Sequence, residues 1–441
     1  MGILQNDKSR AQLQNWLSLD YLSNTLLLLY IFSMPLVSAF AFTNIISFSL
    51  IFAVLLFLLM LIAILKARKF PPGFLGFDLL ITLLFLFIVI FSYFINGWGN
   101  VKSLNHTIAY LATFLLFYVS IKFTLFNISD SNKVFKNVLL LITYTTIVSV
   151  AYANVEFISS NIFGVNLNNY IPRPNEDQTY YGATVLGIFY RARGFAAESG
   201  HFTFMMELFS PLAIYFMYFS GFCKWSKLVK TITIFLIVSS FIFAVSTASF
   251  VIIPVAILLA SVIHIGRIFA YIKKHTAKFF LTTAIVSIIV LLFNYFFSVY
   301  ALIILSITEK MDSGLDYRQA NIDFFFKKFF QFDITQQIIG AGPAGVLILG
   351  YDMTNAILNL YYSISFELGF LGFFLFILLL FYFIFHLITI KSKIGFFLLI
   401  SIFSGMMHYY FISNFWYPWF WFVAAFGIFY CKKIFVLSQK K

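Results

Sequence analysis

Charge is scarce in this sequence. Asp, Glu, Lys and Arg make up only 10% of its 441 residues, whereas a soluble protein carries about a quarter charged residues. Its two cysteines, Cys223 and Cys431, are too few for a disulfide framework. Hydrophobic residues make up 62% of the whole sequence, and its mean hydropathy is +0.95. The missing charge and the apolar excess predict an integral membrane protein that lies in a lipid bilayer.

Long apolar runs recur along the whole chain. A helix needs about 20 apolar residues to cross the hydrocarbon core of a bilayer. Runs near this length lie at residues 21–40, 45–65, 78–95, 107–126, 138–155, 202–220, 231–246, 249–265, 279–300, 367–390, 394–412 and 416–431. The sequence therefore predicts an all-α, polytopic membrane protein that forms a single domain, residues 1–441, with about twelve transmembrane helices.

The segments that connect these runs alternate between many and few basic residues. With the N-terminus inside, 21 of the 29 Lys and Arg residues fall on the inner side and 8 on the outer side. This is the bias expected of cytoplasmic loops, so both termini are predicted to be cytoplasmic. The same bias accounts for the net charge of +13, and we expect no nucleic-acid partner.

Two outer segments, residues 156–201 and 301–366, are too long to be simple connections. They hold Arg173, Arg191, Arg193 and Arg318, although Lys is the common cation elsewhere. A guanidinium group grips phosphate or carboxylate with two parallel hydrogen bonds, which favours an anion site on the outer face. In the alternative interpretation, the arginines pair with acidic residues and stabilise the loops. The acids available for this are Glu176, Asp177, Glu198, Asp316 and Asp323.

The segment 191–201 is the densest group of polar residues and lies just before the sixth run. Arg191 and Arg193 could clamp a phosphate, with Glu198 or His201 as a nearby base. Alternatively, Glu198 is an acid at a helix start and His201 an interfacial ring. The five other histidines lack neighbouring ligand types at metal-binding spacing. The sequence thus predicts no metal site and no cofactor.

A glycine motif in the second outer segment imitates a nucleotide-binding fingerprint. Residues 340–345 read Gly-Ala-Gly-Pro-Ala-Gly, and Glu367 follows at about the distance of a ribose-binding acid. The fingerprint requires a preceding strand in a soluble βαβ unit, but this motif leads into a membrane run. We therefore interpret its glycines as a tight turn that returns the loop to the membrane.

Four sequence features occur in an order that resembles a known family. They are the Arg-x-Arg-Gly-Phe-x-x-Glu-Ser-Gly segment at 191–200, Arg318, the Ile-Gly-Ala-Gly segment at 339–342, and Asn359 followed by Glu367-Leu-Gly. Together with twelve spans and two large outer loops, this order is similar to that of the bacterial O-antigen polymerase and O-antigen ligase superfamily. The resemblance covers most of the chain.

This resemblance implies a metal-independent membrane glycosyltransferase of the bacterial inner membrane. Such an enzyme polymerises oligosaccharide repeat units carried by undecaprenyl diphosphate at the periplasmic face, in the biosynthesis of lipopolysaccharide or a related surface polysaccharide. Arg173, Arg191, Arg193, Arg318 and Asn359 are then the candidate substrate-binding residues. Glu198 and His201 become the candidate catalytic residues, and a regulator of chain length is a candidate partner protein.

Two alternatives remain open. Ligase-like members of the superfamily carry a His immediately before the Asn of the later motif, whereas this sequence has Leu358. That difference favours a polymerase over a ligase, which transfers finished polysaccharide to lipid A core. A flippase or other transporter of lipid-linked oligosaccharide is the alternative without catalysis. It should hold ionisable residues in the middle of its spans, where this sequence has almost none.

The topology can be tested by cysteine labelling with a reagent that does not cross membranes. In a background without Cys223 and Cys431, we expect Val185→Cys and Thr335→Cys to be labelled from outside intact cells, because both positions fall in outer segments. Ile272→Cys, on the inner side, should react only after the membrane is opened. Labelling of position 272 alone in intact cells would invert the scheme.

Overall fold

The computed structural model describes residues 19–43, 46–174, 184–185, 189–266, 319–351, 357–390 and 392–435, with the single positions 288, 291 and 295. Arg318 and most of the predicted run 279–300 lie outside these ranges. The described part is mostly helical. Its strands, β1 (Thr184–Val185) and β2 (Phe189–Tyr190), form a short antiparallel pair.

Fourteen helices lie within the described residues and are numbered in chain order. They are α1 (Leu19–Leu36), α2 (Phe48–Ala67), α3 (Phe77–Gly97), α4 (Val101–Asn127), α5 (Ser131–Ile162), α6 (Ser199–Tyr218), α7 (Lys227–Ala244), α8 (Thr247–Ile263), α9 (319–329), α10 (Ile334–Ile339), α11 (Gly345–Ile348), α12 (Leu360–Thr389), α13 (Lys393–His408) and α14 (Pro418–Phe429). A π-helical turn, Tyr430–Phe435, extends α14, and a 3-10 turn, Leu167–Tyr170, follows α5.

Seven described helices are long and apolar enough to cross a membrane: α1 to α5, α7 and α12. Helices α8 and α13 are apolar but shorter, and α6 and α14 coincide with two further predicted runs. The prediction of a helical membrane protein is confirmed, with seven described helices that could span a bilayer. The total of twelve spans stays a prediction.

The helices extend beyond two of the predicted boundaries. Helix α5 continues to Ile162 and α12 already begins at Leu360, so parts of segments 156–201 and 301–366 are helical. In α5 the reason is Glu156, a charged residue after the apolar run. Its carboxylate finds hydrogen-bond donors inside the protein, so the helix need not end where the apolar run ends.

Polar side chains cap many of the helix starts. Oxygens of Ser47, Asn100, Asp130, Ser226 and Ser392 accept hydrogen bonds from backbone N–H groups in the first turns of α2, α4, α5, α7 and α13. The first N–H groups of a helix have no partner within it, and a cap of this type stabilises a helix by about 0.5–2 kcal/mol. These short polar residues therefore lie at the starts of the helices that contain the apolar runs.

A buried ion pair ties three helices together at the predicted inner end of the bundle. Lys122 of α4 and Tyr118, one turn earlier, both donate to Asp78 in the first turn of α3. Lys432, just after α14, lies 3.8 Å from the other carboxylate oxygen. Removal of one partner from such a buried pair costs about 3–5 kcal/mol, because the other charge stays unpaired. This pair therefore holds α3, α4 and α14 in register.

The glycine turn predicted at 340–345 docks against a break in α12. The N–H groups of Ala341 and Gly342 donate to the carbonyls of Phe366 and Glu367, at 2.8 and 3.1 Å. Gly340 has φ +83°, and a Cβ there would lie 2.0 Å from the Glu367 carbonyl oxygen. At Gly369, inside α12, φ is +66° and ψ −170°. Only glycine permits this backbone-to-backbone contact, which confirms the interpretation of the motif as a tight turn.

This contact predicts a difference between two glycine substitutions. Gly340 and Gly350 both have positive φ, but among the described residues no atom lies within 4 Å of a Cβ at position 350. We expect Gly340→Ala to lose about 1–3 kcal/mol more stability than the control, Gly350→Ala, because its methyl group collides with backbone. Thermal unfolding in detergent measures this, and equal midpoints for the two variants would contradict the docking.

Candidate functional site

Hydrogen bonds connect the ends of several helices at one end of the bundle, which is the predicted outer end. The backbone N–H of Ala39, after α1, donates to the Phe195 carbonyl at 3.2 Å, and that of Ala192 donates to the Phe243 carbonyl of α7 at 2.9 Å. The indole of Trp419 in α14 donates to the Met34 carbonyl of α1 at 2.8 Å. Segment 189–201 therefore lies on the ends of the helices and contacts more than one of them.

Segment 189–201 is anchored by one buried carboxylate. Glu156, only 1% exposed, accepts from the Asn168 amide at 2.6 Å and from the backbone N–H groups of Arg193 and Gly194 at 3.0 and 2.8 Å. Arg173 reaches the same region, and its Nη2 donates to the Gly194 carbonyl at 3.0 Å. We call Glu156, Asn168, Arg173, Arg193 and Gly194 the Glu156 cluster.

The two arginines of this cluster help to fold the loop. Arg193 is 1% exposed, and it donates from Nε to the Asn168 amide oxygen at 3.1 Å and from Nη1 to the Ala197 carbonyl at 3.2 Å. Arg173 donates to the same Asn168 oxygen at 3.0 Å. Burial and the neighbouring charge of Arg193 lower the pKa of Arg173 to about 10, so the Arg173 guanidinium group stays positive at neutral pH.

Arg191 and Glu198 differ from the cluster in exposure. Arg191 is half-buried, and Glu198 is exposed at the residue preceding α6. The Glu198 side chain makes no capping bond. Partial desolvation by the surrounding protein raises the pKa of its carboxyl group, and the positive charge of Arg191 opposes this rise. A cation and a carboxylate thus lie close enough to interact, on a face that a ligand can reach.

His201 is held on both sides by the loop that joins α13 to α14, residues 409–417. The amide of Asn414 lies 3.2 Å from Nε2 and the hydroxyl of Tyr417 lies 3.0 Å from Nδ1. The ring is 7% exposed. Because both ring nitrogens have protein partners, the geometry favours a positioning role for His201. Its role as a catalytic base stays a prediction.

Asn359 caps α12. Its side-chain oxygen accepts from the N–H groups of Tyr361 and Tyr362 at 2.9 and 3.3 Å. The residue also lines a small pocket of about 40 Å³ together with Asn321 and Tyr410. A cavity of this size admits a water molecule or a small polar group. The structure therefore accounts for Asn359 as a helix cap that borders a pocket, and its contact with substrate stays a prediction.

A further polar group at this end contains no residue from the sequence-based list of candidates. His106 Nδ1 lies 3.2 Å from Glu367 Oε2, and the Tyr110 hydroxyl donates to the same oxygen at 2.9 Å. Glu367 is 4% exposed. We call His106, Tyr110 and Glu367 the His106 triad. His106 and Glu367 are far apart in sequence, so residue spacing could not bring them together.

The 409–417 loop connects these polar groups. Asn414 and Tyr417 hold His201, while the rings of Phe415 and Trp416 lie 5.5 and 6.2 Å from the His106 ring. The N–H of Leu360, beside Asn359, donates to the carbonyls of Tyr409 and Ile412, at 2.9 and 3.1 Å. His201, Asn359 and His106 therefore border a single short loop and form the edge of one surface.

Two further observations bear on the chemistry. A second buried pair lies between α6 and α13, where His408 Nδ1 is 2.8 Å from Glu207 Oε2. Across the described ranges, no three His, Cys, Asp or Glu side chains are placed to hold a metal ion together.

Comparison of the chain with protein-family models, with curated proteins and with solved structures finds no match. Any assignment of activity therefore depends on the site itself and on the motifs in the sequence.

The Glu156 cluster predicts the effect of one isosteric change. In Glu156→Gln, an amide group faces N–H donors where the carboxylate accepted three hydrogen bonds. At least one buried donor then lacks a partner, at a cost of about 1–3 kcal/mol. Glu198→Gln, at an exposed carboxyl that makes no capping bond, is the matched control. We expect faster trypsin cleavage after Arg191 or Arg193 in Glu156→Gln only. Equal cleavage of the two variants would show that Glu156 does not anchor the loop.

Proposed function

We propose that the protein is a membrane glycosyltransferase of the O-antigen polymerase type. It joins oligosaccharide repeat units carried on undecaprenyl diphosphate into a surface polysaccharide. In this proposal it crosses the bacterial inner membrane twelve times, with both termini in the cytoplasm and segments 156–201 and 301–366 on the periplasmic side. The order of motifs along the chain supports the assignment, as does the helical membrane architecture.

The observation that carries the proposal is the folded, cationic loop on the ends of the helices. Arg191 and Arg193 lie within it, Arg173 donates a hydrogen bond to its Gly194 carbonyl, and Glu156 fixes its backbone. A donor of this class presents a diphosphate at the membrane surface. Preorganised cations stabilise the negative charge that develops on the diphosphate as the sugar–phosphate bond breaks. Such a site needs no nucleotide, because the lipid-linked donor supplies the driving force.

The arginines divide between two roles in this scheme. Arg191 is half-buried beside the exposed Glu198 and is the strongest candidate for direct contact with the diphosphate. Arg193 and Arg173 keep the loop in place and add positive potential at the surface. Arg318 remains a candidate on its sequence position alone. Glu198 lies where it could orient the acceptor hydroxyl or accept its proton.

The alternatives are a ligase of the same superfamily and a transporter. Leu358, at the position of the ligase His, lines the small pocket beside Asn359 and brings no imidazole to it. A transporter gains some support from the buried Glu207–His408 pair, because ionisable groups inside a helix bundle often mark a path for cargo or protons. The polar groups at the outer end of the bundle favour catalysis at the surface.

A strain without the protein separates these functions. Loss of a polymerase leaves core with a single repeat unit, so a lipopolysaccharide gel should show one band above bare core in place of a ladder. Loss of a ligase leaves bare core, while long chains accumulate on undecaprenyl diphosphate. We expect the single-unit pattern. Bare core with accumulated polymer would identify a ligase, and an unchanged ladder would exclude both enzymes.

Complementation with variants then tests the diphosphate site. The intact gene and Arg68→Ala, a control on the predicted inner side, should restore the ladder. Arg191→Ala should not restore it at equal protein level, because a charge-assisted hydrogen bond is worth about 1.5–3 kcal/mol, roughly ten- to a hundredfold in rate. Arg191→Lys should restore it poorly, since lysine lacks the planar fork. A full ladder with Arg191→Ala would remove Arg191 from the site.

A further inference from the structure

The His106 triad has the geometry of an activated base. His106, in the second turn of α4, has an exposed side-chain fraction of 24%, whereas the Glu367 carboxylate beside it is 6% exposed. Glu367 Oε2 also accepts from Tyr110 at 2.9 Å. Within the described ranges, Nδ1 of His106 has neighbours in hydrogen-bond distance and Nε2 has none. One ring edge thus faces a buried carboxylate, and the nitrogen on the other edge has no hydrogen-bond partner among the described residues.

The position of Glu367 is set by backbone contacts on both sides. Its carbonyl accepts from the Ser92 hydroxyl of α3 at 3.1 Å and from the N–H of Gly342 at 3.1 Å. The Asn96 amide donates to the Gly340 carbonyl at 2.7 Å and ties the same turn to the end of α3. Hydrogen bonds therefore join α3, α4 and α12 at one junction. At this junction the Glu367 carboxylate faces the His106 imidazole.

Two groups compete for Nδ1 of His106, and their chemistry decides the tautomer. Glu367 can only accept a hydrogen bond there, so it requires a proton on Nδ1. The Ala344 N–H, 3.0 Å from the same nitrogen, requires that Nδ1 carry no proton. A hydrogen bond to an ionised carboxylate is about twice as strong as a neutral one, and a lone pair on Nδ1 would face the carboxylate unfavourably. The Glu367 carboxylate therefore favours the tautomer with its proton on Nδ1 and a lone pair on Nε2, at the cost of the hydrogen bond from Ala344.

We propose that His106 is the general base of the transfer reaction, with Glu367 and Tyr110 as its positioning residues. This inference rests on the proposed function. The acceptor hydroxyl oxygen bonds to the anomeric carbon of the donor sugar, and its proton passes to Nε2 of His106. The bond between the anomeric carbon and the phosphate oxygen breaks, and its electron pair leaves with the diphosphate. The imidazolium then returns the proton to water.

This assignment differs from the sequence-based one, which placed the base at Glu198 or His201. Both nitrogens of His201 have hydrogen-bond partners, and within the described ranges no hydrogen bond orients the Glu198 carboxylate. His106 has a carboxylate beside Nδ1, and its Nε2 has no hydrogen-bond partner among the described residues. Because His106 and His201 border the same 409–417 loop, Glu198 near His201 can orient the acceptor while His106 takes its proton.

The groups that face His106 limit what else could control its protonation. Helix α12 contributes Glu367 and α4 contributes Tyr110. From the 409–417 loop, the rings of Phe415 and Trp416 pack near the imidazole without adding charge. Residue 344 contributes only a backbone N–H. Among the described residues that pack on the ring, Glu367 is therefore the group that stabilises the protonated imidazole.

Purified protein with lipid-linked repeat units tests the proposal by chain elongation. We expect His106→Ala to slow elongation by about 10²- to 10⁴-fold, the usual contribution of a general base, and added imidazole to restore part of the rate. His386→Gln, at the opposite end of α12, is the control and should elongate normally. Donor binding and thermal unfolding of each variant are measured beside the rate, so that a folding defect is recognised.

The pH dependence separates a base from a structural group. With wild-type protein the rate should rise with pH as His106 loses its proton. In Glu367→Gln the protonated imidazole loses its carboxylate, so this rise should move to lower pH while the maximal rate falls about ten- to a hundredfold. An unshifted profile would overturn the proposal, as would a His106→Ala rate within threefold of wild type. Absence of elongation with wild-type protein would instead remove the proposed function.

Discussion

The contact between the glycine turn at 340–342 and the break in α12 is the constraint on which the outer end of the molecule depends. Two backbones meet without intervening side chains, and Gly340 and Gly369 make this possible through their positive φ angles. The contact fixes Glu367 beside His106. Hydrogen bonds also link the second outer segment to Asn96 of α3 and to His106 of α4.

A second anchor organises the other half of this surface. Glu156 accepts three hydrogen bonds from the first outer segment and holds two guanidinium groups near the helix ends. The 409–417 loop contacts both halves, through Asn414 to His201 and through Phe415 to His106. Cations that could bind an anionic leaving group and an imidazole that could take a proton therefore border one surface. This arrangement suits transfer of a sugar from a diphosphate-linked donor.

Much of the fold could be predicted because it follows from local composition. Apolar runs and short polar caps indicate the helices, and the spacing of glycines indicates the turn at 340–345. The site was predicted only in part. Arg191 and Glu198 do lie near each other, since they are only seven positions apart in the sequence. The acid that anchors the loop, however, is Glu156, which is buried at the end of an apolar run. The pairing of His106 with Glu367 depends on how α4 packs against α12, and one sequence carries no signal for such a long-range contact.

The central claim is that bond formation is driven by release of a polyprenyl diphosphate at this surface, without nucleotide or metal. The most direct measurement is the stoichiometry of the reaction with purified protein, undecaprenyl-diphosphate-linked repeat units and a metal chelator. The account predicts one undecaprenyl diphosphate released for each new glycosidic bond, with the growing chain still attached to one lipid carrier. Movement of intact lipid-linked repeat units across the membrane of proteoliposomes, with no diphosphate released, would contradict it.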